Sequence, residues 1–207
     1  MQPARNARGR ATARRIEATA VRLAGERGLD GLTVDMICAE AGVGQRTFFH
    51  HFPTKEDALL GLDLPVLDEE RVRAYLSDPL VGLLSGTIGL VRLPSPDDPA
   101  VMLARLQLIS TSPALFRRQG ERLMPLLHEV RGLVLTRLRA AAPAGSADAP
   151  PGPDDRTLQL QADLVTAIGA ALMQAVGVRA VQNGELPVPG APQHLLEALR
   201  PIWDTLL

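Results

Sequence analysis

The stretch Thr33 to Lys55, TVDMICAEAGVGQRTFFHHFPTK, constrains the fold more than any other part of this 207-residue chain. Val34, Ile37, Cys38 and Ala41 repeat at i, i+3, i+4 and i+7, which is one face of a short helix. Thr33 stands where an N-cap is wanted, and Gly42 breaks the helix after two turns. Gln45 to Phe52 has helical character again and is ended by Pro53. Two short helices joined through Ala41-Gly42-Val43-Gly44 make a helix-turn-helix. The small Cys38 suits a close helix crossing, Val43 plugs the gap, and Ile37, Ala41 and Phe48 supply a shared core.

The surrounding pattern is helical almost throughout. Ile16, Ala20, Leu23 and Ala24 mark one face of a helix over Thr12–Arg27, stopped by Gly28. Thr54 caps a fourth helix, with Asp57 in a capping-box position. Farther on, Pro65 starts a segment running to Leu76, and Asp78-Pro79 reads as N-cap and first residue of a helix through Val91. Asp98-Pro99 opens another to Ile109. Ser112-Pro113 caps a short turn to Gln119, and a long helix follows over Glu121–Ala141, bent by Pro125. The Pro/Ala/Gly-rich stretch 143–153 reads as a loop, and helices over 155–183 and 191–206 close the chain. No run of β period appears, so an all-α fold is expected.

Between the two helices of the motif, the outer face of the second carries the chemistry. Gln45 and Phe49 lie one turn apart, as do Arg46 and His50, so four side chains point toward one groove. Arginine reads guanine, glutamine reads adenine, and an aromatic ring meets a thymine methyl. Thr33, Thr47, His51 and Lys55 suit phosphates, Thr33 and Lys55 at helix starts where free N–H groups attract anions. Residues 12–61 therefore resemble the N-terminal DNA-binding domain of TetR-family bacterial transcriptional regulators. The matching residues are Ala20, Glu26-Arg27-Gly28, Leu32-Thr33-Val34, Ile37, Ala41-Gly42-Val43, Thr47-Phe48-Phe49, Phe52-Pro53 and Lys55-Glu56. The resemblance implies a homodimer on a palindromic operator, usually a repressor released by a small molecule. Three positions depart from the family pattern: Gly44 for a capping Ser, Phe49 for a common Tyr, and Cys38 for a common Ala.

Charge is distributed accordingly. The chain carries net charge −1, yet residues 1–15 hold Arg5, Arg8, Arg10, Arg14 and Arg15 and no acid, giving +5. The other 17 basic residues against 23 acidic ones leave −6 on the remainder. Arg5, Arg8 and Arg10 read as an arm that follows the DNA backbone or enters the minor groove. With aromatics at 3%, a sugar-stacking or single-strand-stacking surface is excluded. The one cysteine cannot form an internal disulfide, and it sits on an apolar stripe that makes it an inert thiol.

Together these observations predict residues 1–54 as a basic arm and three-helix helix-turn-helix domain, and 55–207 as a larger helical effector-binding and dimerisation domain. Leu158, Leu160, Leu164, Val165, Ile168, Leu172 and Val176 surround one helix on more than one side. With the terminal stripe Leu195, Leu199, Ile202, Trp203 and Leu206, they predict a four-helix bundle between two protomers. Arg105, His128 and Gln174 are the candidate polar groups of an effector pocket, although snorkelling to the surface or pairing with a nearby acid is the favoured role for Arg105. No nucleophile–base pair or clustered carboxylate points to an enzyme. His50 and His51 diverge by about 100° on a helix, so no metal site or cofactor is expected. No apolar region follows the basic start within 30 residues and no uncharged apolar run approaches 18, so the expected location is cytoplasmic. The expected partners are double-stranded DNA, a small-molecule effector and a second copy of the chain. An interaction protein that uses the fold without DNA is the alternative.

Overall fold

The computed structural model describes residues 3–95, 97–142, 153–186, 194, 197 and 198. It is 79% helical. In chain order the helices are α1 (Pro3–Gly31), α2 (Val34–Ala41), α3 (Gln45–His51), α4 (Lys55–Leu60), α5 (Glu69–Ser77), α6 (Leu83–Gly89), α7 (Pro99–Thr111), α8 (Pro113–Ala141) and α9 (Asp155–Asn183). Two strands of two residues, β1 (Val66–Leu67) and β2 (Val91–Arg92), pair antiparallel. The fold class is all-α, and a pairing this short leaves no period in the sequence to find.

The described residues fall into two compact units. The first comprises the described residues of 3–64, 95–121 and 180–186; the second comprises those of 65–94 and 122–179. The core of the first unit joins Ile16, Ala20 and Leu23 of α1 to Ile37, Phe48, Phe52 and Leu59, with Leu115 from the start of α8. Ile16, Ile37, Phe48 and Phe52 are each 0% exposed, so the motif helices are anchored by large apolar groups. The second unit packs Tyr75, Leu90, Val130, Val134, Leu158 and Ala162 into a separate core.

Several expected boundaries move, each for a physical reason. Helix α1 starts at Pro3 instead of Thr12, because Ala and Arg propagate a helix through the basic segment. It bends at Gly28, whose φ of 75° and ψ of 164° are not helical. Asp78 ends α5 in place of starting the next helix, which begins only at Leu83. The guanidinium of Arg137 donates to the carbonyls of Tyr75, Asp78 and Val81 and stacks 4.5 Å from the Tyr75 ring centroid, holding residues 78–82 as a turn. Gly120 and Pro125 do not divide α8, so the short turn and the long helix are one. Asp98 caps α7 as expected, and α9 spans 155–183 as expected. The terminal helix over 191–206, with Trp203, and most of the 143–153 loop lie outside the described residues.

Helix α9 is long and apolar enough, by length and composition, to cross a membrane. Thr166 and Gln174 interrupt its apolar run without making the helix polar. Only 22% of its most apolar window is buried.

Candidate nucleic-acid interface

Helix α2 begins where Thr33 turns its hydroxyl back to accept from the Met36 N–H at 3.3 Å. It ends in a left-handed Gly42 (φ 63°, ψ 42°), with Val43 N–H donating to the Cys38 carbonyl at 3.0 Å and Gly42 N–H to Ala39 at 3.4 Å. That is the paired C-terminal bonding of a Schellman turn, and it sets the angle at which α3 leaves. Gly44 starts α3 with no side-chain cap, as its place in the sequence implied. Cys38 is buried, and burial, with Asp35 adding to it, pushes the thiol up from its ordinary value, so the nucleophilic thiolate is disfavoured.

Phe48 fixes the rotation of α3. Its ring is fully buried, edge-on to Phe49 with centroids 5.3 Å apart. The opposite face of α3 is therefore turned outward: Gln45, Arg46, Thr47, Phe49 and His50 are all exposed, Phe49 at 53%. An aromatic ring left half in water on a seven-residue helix is unexplained by packing within the chain. Arg46 forms no ion pair among the described residues.

Other expected contact residues are already engaged. The Gln45 side-chain amide donates to the Asp35 carboxylate of α2, a partner that sequence reasoning missed because ten residues separate the two. Lys55, the only lysine in the chain, donates from Nζ to the carbonyls of Leu29 at 2.9 Å and Leu32 at 2.8 Å. Its charge thereby closes the loop after α1, leaving one of three ammonium donors uncommitted. Thr54 caps α4, accepting from Asp57 N–H at 3.2 Å and donating to the Asp57 carboxylate at 2.8 Å. His51 is half-buried, and burial, then the neighbouring His50, hold its pKa below the ordinary histidine value.

The three residues expected in an effector pocket stand apart in character. Arg105 of α7 is buried and donates to Glu17 at 2.8 Å and to the Leu59 carbonyl at 2.9 Å. His128 on α8 and Gln174 on α9 are exposed. An open depression of 410 Å³ between α1 and α7 is floored by Ala18, Val21, Val101 and Ala104 and edged by Arg15 and Arg22; none of the three lines it. No cluster of three or more His, Cys, Asp or Glu arranged to hold a metal is present among the described residues.

Residues 16–61 match the model of the bacterial regulatory proteins of the tetR family. The N-terminal domain is of the TetR family. The match runs from Ile16 of α1 to Gly61, just past α4, and includes the whole helix-turn-helix. The match over this segment supports a DNA-binding transcriptional regulator. No curated protein matches the chain. Among solved structures it is similar to Salmonella enterica GusR, with 18% identity, coverage of 96% of this chain and 95% of that one, and a TM-score of 0.42.

Proposed function

We propose that the chain is a homodimeric repressor that binds a palindromic operator and is released by a small molecule. The observation that carries this reading is the exposed face of α3. Gln45, Arg46, Phe49 and His50 project from a helix pinned by a fully buried Phe48, and they are the side-chain types that read base edges. Thr33, Thr47, His51 and the remaining donor of Lys55 flank them as phosphate contacts. On binding, Gln45 exchanges Asp35 for a base edge.

Dimerisation is supported by α9, where Leu160 is 58% and Leu164 54% exposed. A soluble helix does not leave such a row uncovered, and a second copy of the same face covers it isologously. Two α3 helices related by a twofold axis then enter successive major grooves about 34–36 Å apart. Release is a population shift: an effector favours a spacing of the two helices that no longer matches the operator, by no more than its differential affinity for the two states. Residues 1–54 carry DNA binding in this scheme and 55–207 carry effector binding and dimerisation. The start of α4 at Thr54-Lys55 is where the two meet in sequence.

The experiment is selection from a pool of random duplex DNA at near-physiological salt. An enriched palindrome with half-sites about 10 base pairs apart is the expected result. No enrichment by a folded dimer overturns the operator reading.

A further inference from the structure

The basic segment at the N-terminus is a helix and not a free arm. Pro3 to Arg10 continue α1, which adds about 12 Å of rod at 1.5 Å per residue. That rod is placed by a specific approach: a β-carbon at Gly9 would stand 3.9 Å from Cε1 of His51, at the C-terminal end of α3. Arg8 and Arg10, either side of Gly9, are exposed, and neither forms an ion pair among the described residues. Arg14 differs, since Asp97 and Asp63 neutralise it. No acid occurs in residues 1–15 to answer the remaining charge.

We propose that these first two turns of α1 are a second DNA-binding element, in which Arg8 and Arg10 bind backbone phosphates flanking the half-site read by α3. The inference rests on the reading of α3 as the groove-entering helix. Because Gly9 abuts His51, the stretch of α1 backbone that carries Arg8 and Arg10 runs beside the C-terminal end of the recognition helix. A rod of about 12 Å spans three to four base-pair rises of a duplex strand. A helix also holds its charges in place, so less ordering is needed on binding than for a disordered arm. The contacts carry no sequence information, because they meet phosphates and not base edges.

The test compares wild type with Arg8→Ala/Arg10→Ala, and with the charge-matched Arg73→Ala/Arg156→Ala on exposed positions elsewhere. Each is titrated with the selected operator and with an unrelated duplex from 50 to 200 mM salt. Loss of two phosphate contacts lowers the slope of log K against log salt by about 1.8. The wild type's advantage then shrinks about tenfold over that fourfold salt range, equally on both duplexes. The control pair leaves the slope nearly unchanged. Equal slopes for wild type and Arg8→Ala/Arg10→Ala, with operator selectivity intact, overturn this proposal while leaving the proposed function standing. Absence of operator selection in the wild type overturns the proposed function and this inference with it. Binding to phosphatidylserine vesicles in preference to duplex DNA, lost in the Arg8→Ala/Arg10→Ala variant, assigns the patch to a membrane surface and overturns it too.

Discussion

Arg105 and Glu17 form a nearly dry ion pair, 88 residues apart in sequence and 2.8 Å apart in space, with each side chain only 11% exposed. The same guanidinium donates to the Leu59 carbonyl, and the other Glu17 oxygen accepts the Leu62 N–H at 2.8 Å. One pair thus joins α1, the end of α4 and α7 within the first unit. Removing either partner leaves an uncompensated buried charge, so Arg105→Ala should cost about 3–5 kcal/mol. Urea unfolding checks this, and the double variant Glu17→Gln/Arg105→Met should recover part of the loss.

Gly61 lies directly above that guanidinium. Its φ is +80°, and an added β-carbon would come within 2.6 Å of Nη1 of Arg105. Gly61→Ala should therefore destabilise by more than the about 1 kcal/mol expected from the backbone alone. Measured in an Arg105→Met background, the excess should shrink, because the clashing atoms are gone. An undiminished cost there assigns the strain to the backbone only.

Lys55→Ala should act on stability as well as on DNA. It strips a half-buried cation from two carbonyls that close the loop between α1 and α2, a loss of about 1–3 kcal/mol. Its remaining donor predicts a salt slope lower by about one. Denaturant titration and operator titration separate the two effects, and an unchanged slope assigns Lys55 to structure alone.

Arg46→Ala should leave the fold intact, since the side chain is exposed and makes no ion pair among the described residues. Its cost is about 1–3 kcal/mol at one operator position, with selectivity relaxed there. Competition assays against operators altered base by base measure it. A uniform loss across all duplexes places Arg46 on a phosphate.

His51 predicts how stability responds to acid. Its folded pKa lies below the ordinary 6.5, because burial disfavours the imidazolium and His50 adds to that. The unfolded chain therefore takes up a proton first, so stability is lost as pH falls through 6.5 toward the folded value, and no further below it. His51→Gln should flatten that part of the stability–pH curve, read by thermal unfolding between pH 7.5 and 5.

The helix-turn-helix was legible because its information is local. Thr33 as a cap, Gly42 as a left-handed stop, and Ile37, Ala41 and Phe48 at core spacing all act within a few residues of themselves. Once Phe48 is buried, the outward face of α3 follows from helix geometry alone. Asp98 capping α7 and the span of α9 were readable for the same reason.

What no local pattern contained was which partner each long polar side chain takes. Tertiary packing alone gives Glu17 to Arg105, Asp35 to Gln45, the Leu29 and Leu32 carbonyls to Lys55, and the carbonyls around Asp78 to Arg137. Those choices moved the start of α6 and engaged two of the expected DNA contacts. A helix period specifies a face, whereas a hydrogen bond across tens of residues is specified only when the chain has closed, because a flexible cationic side chain satisfies many acceptors equally well until packing leaves it one.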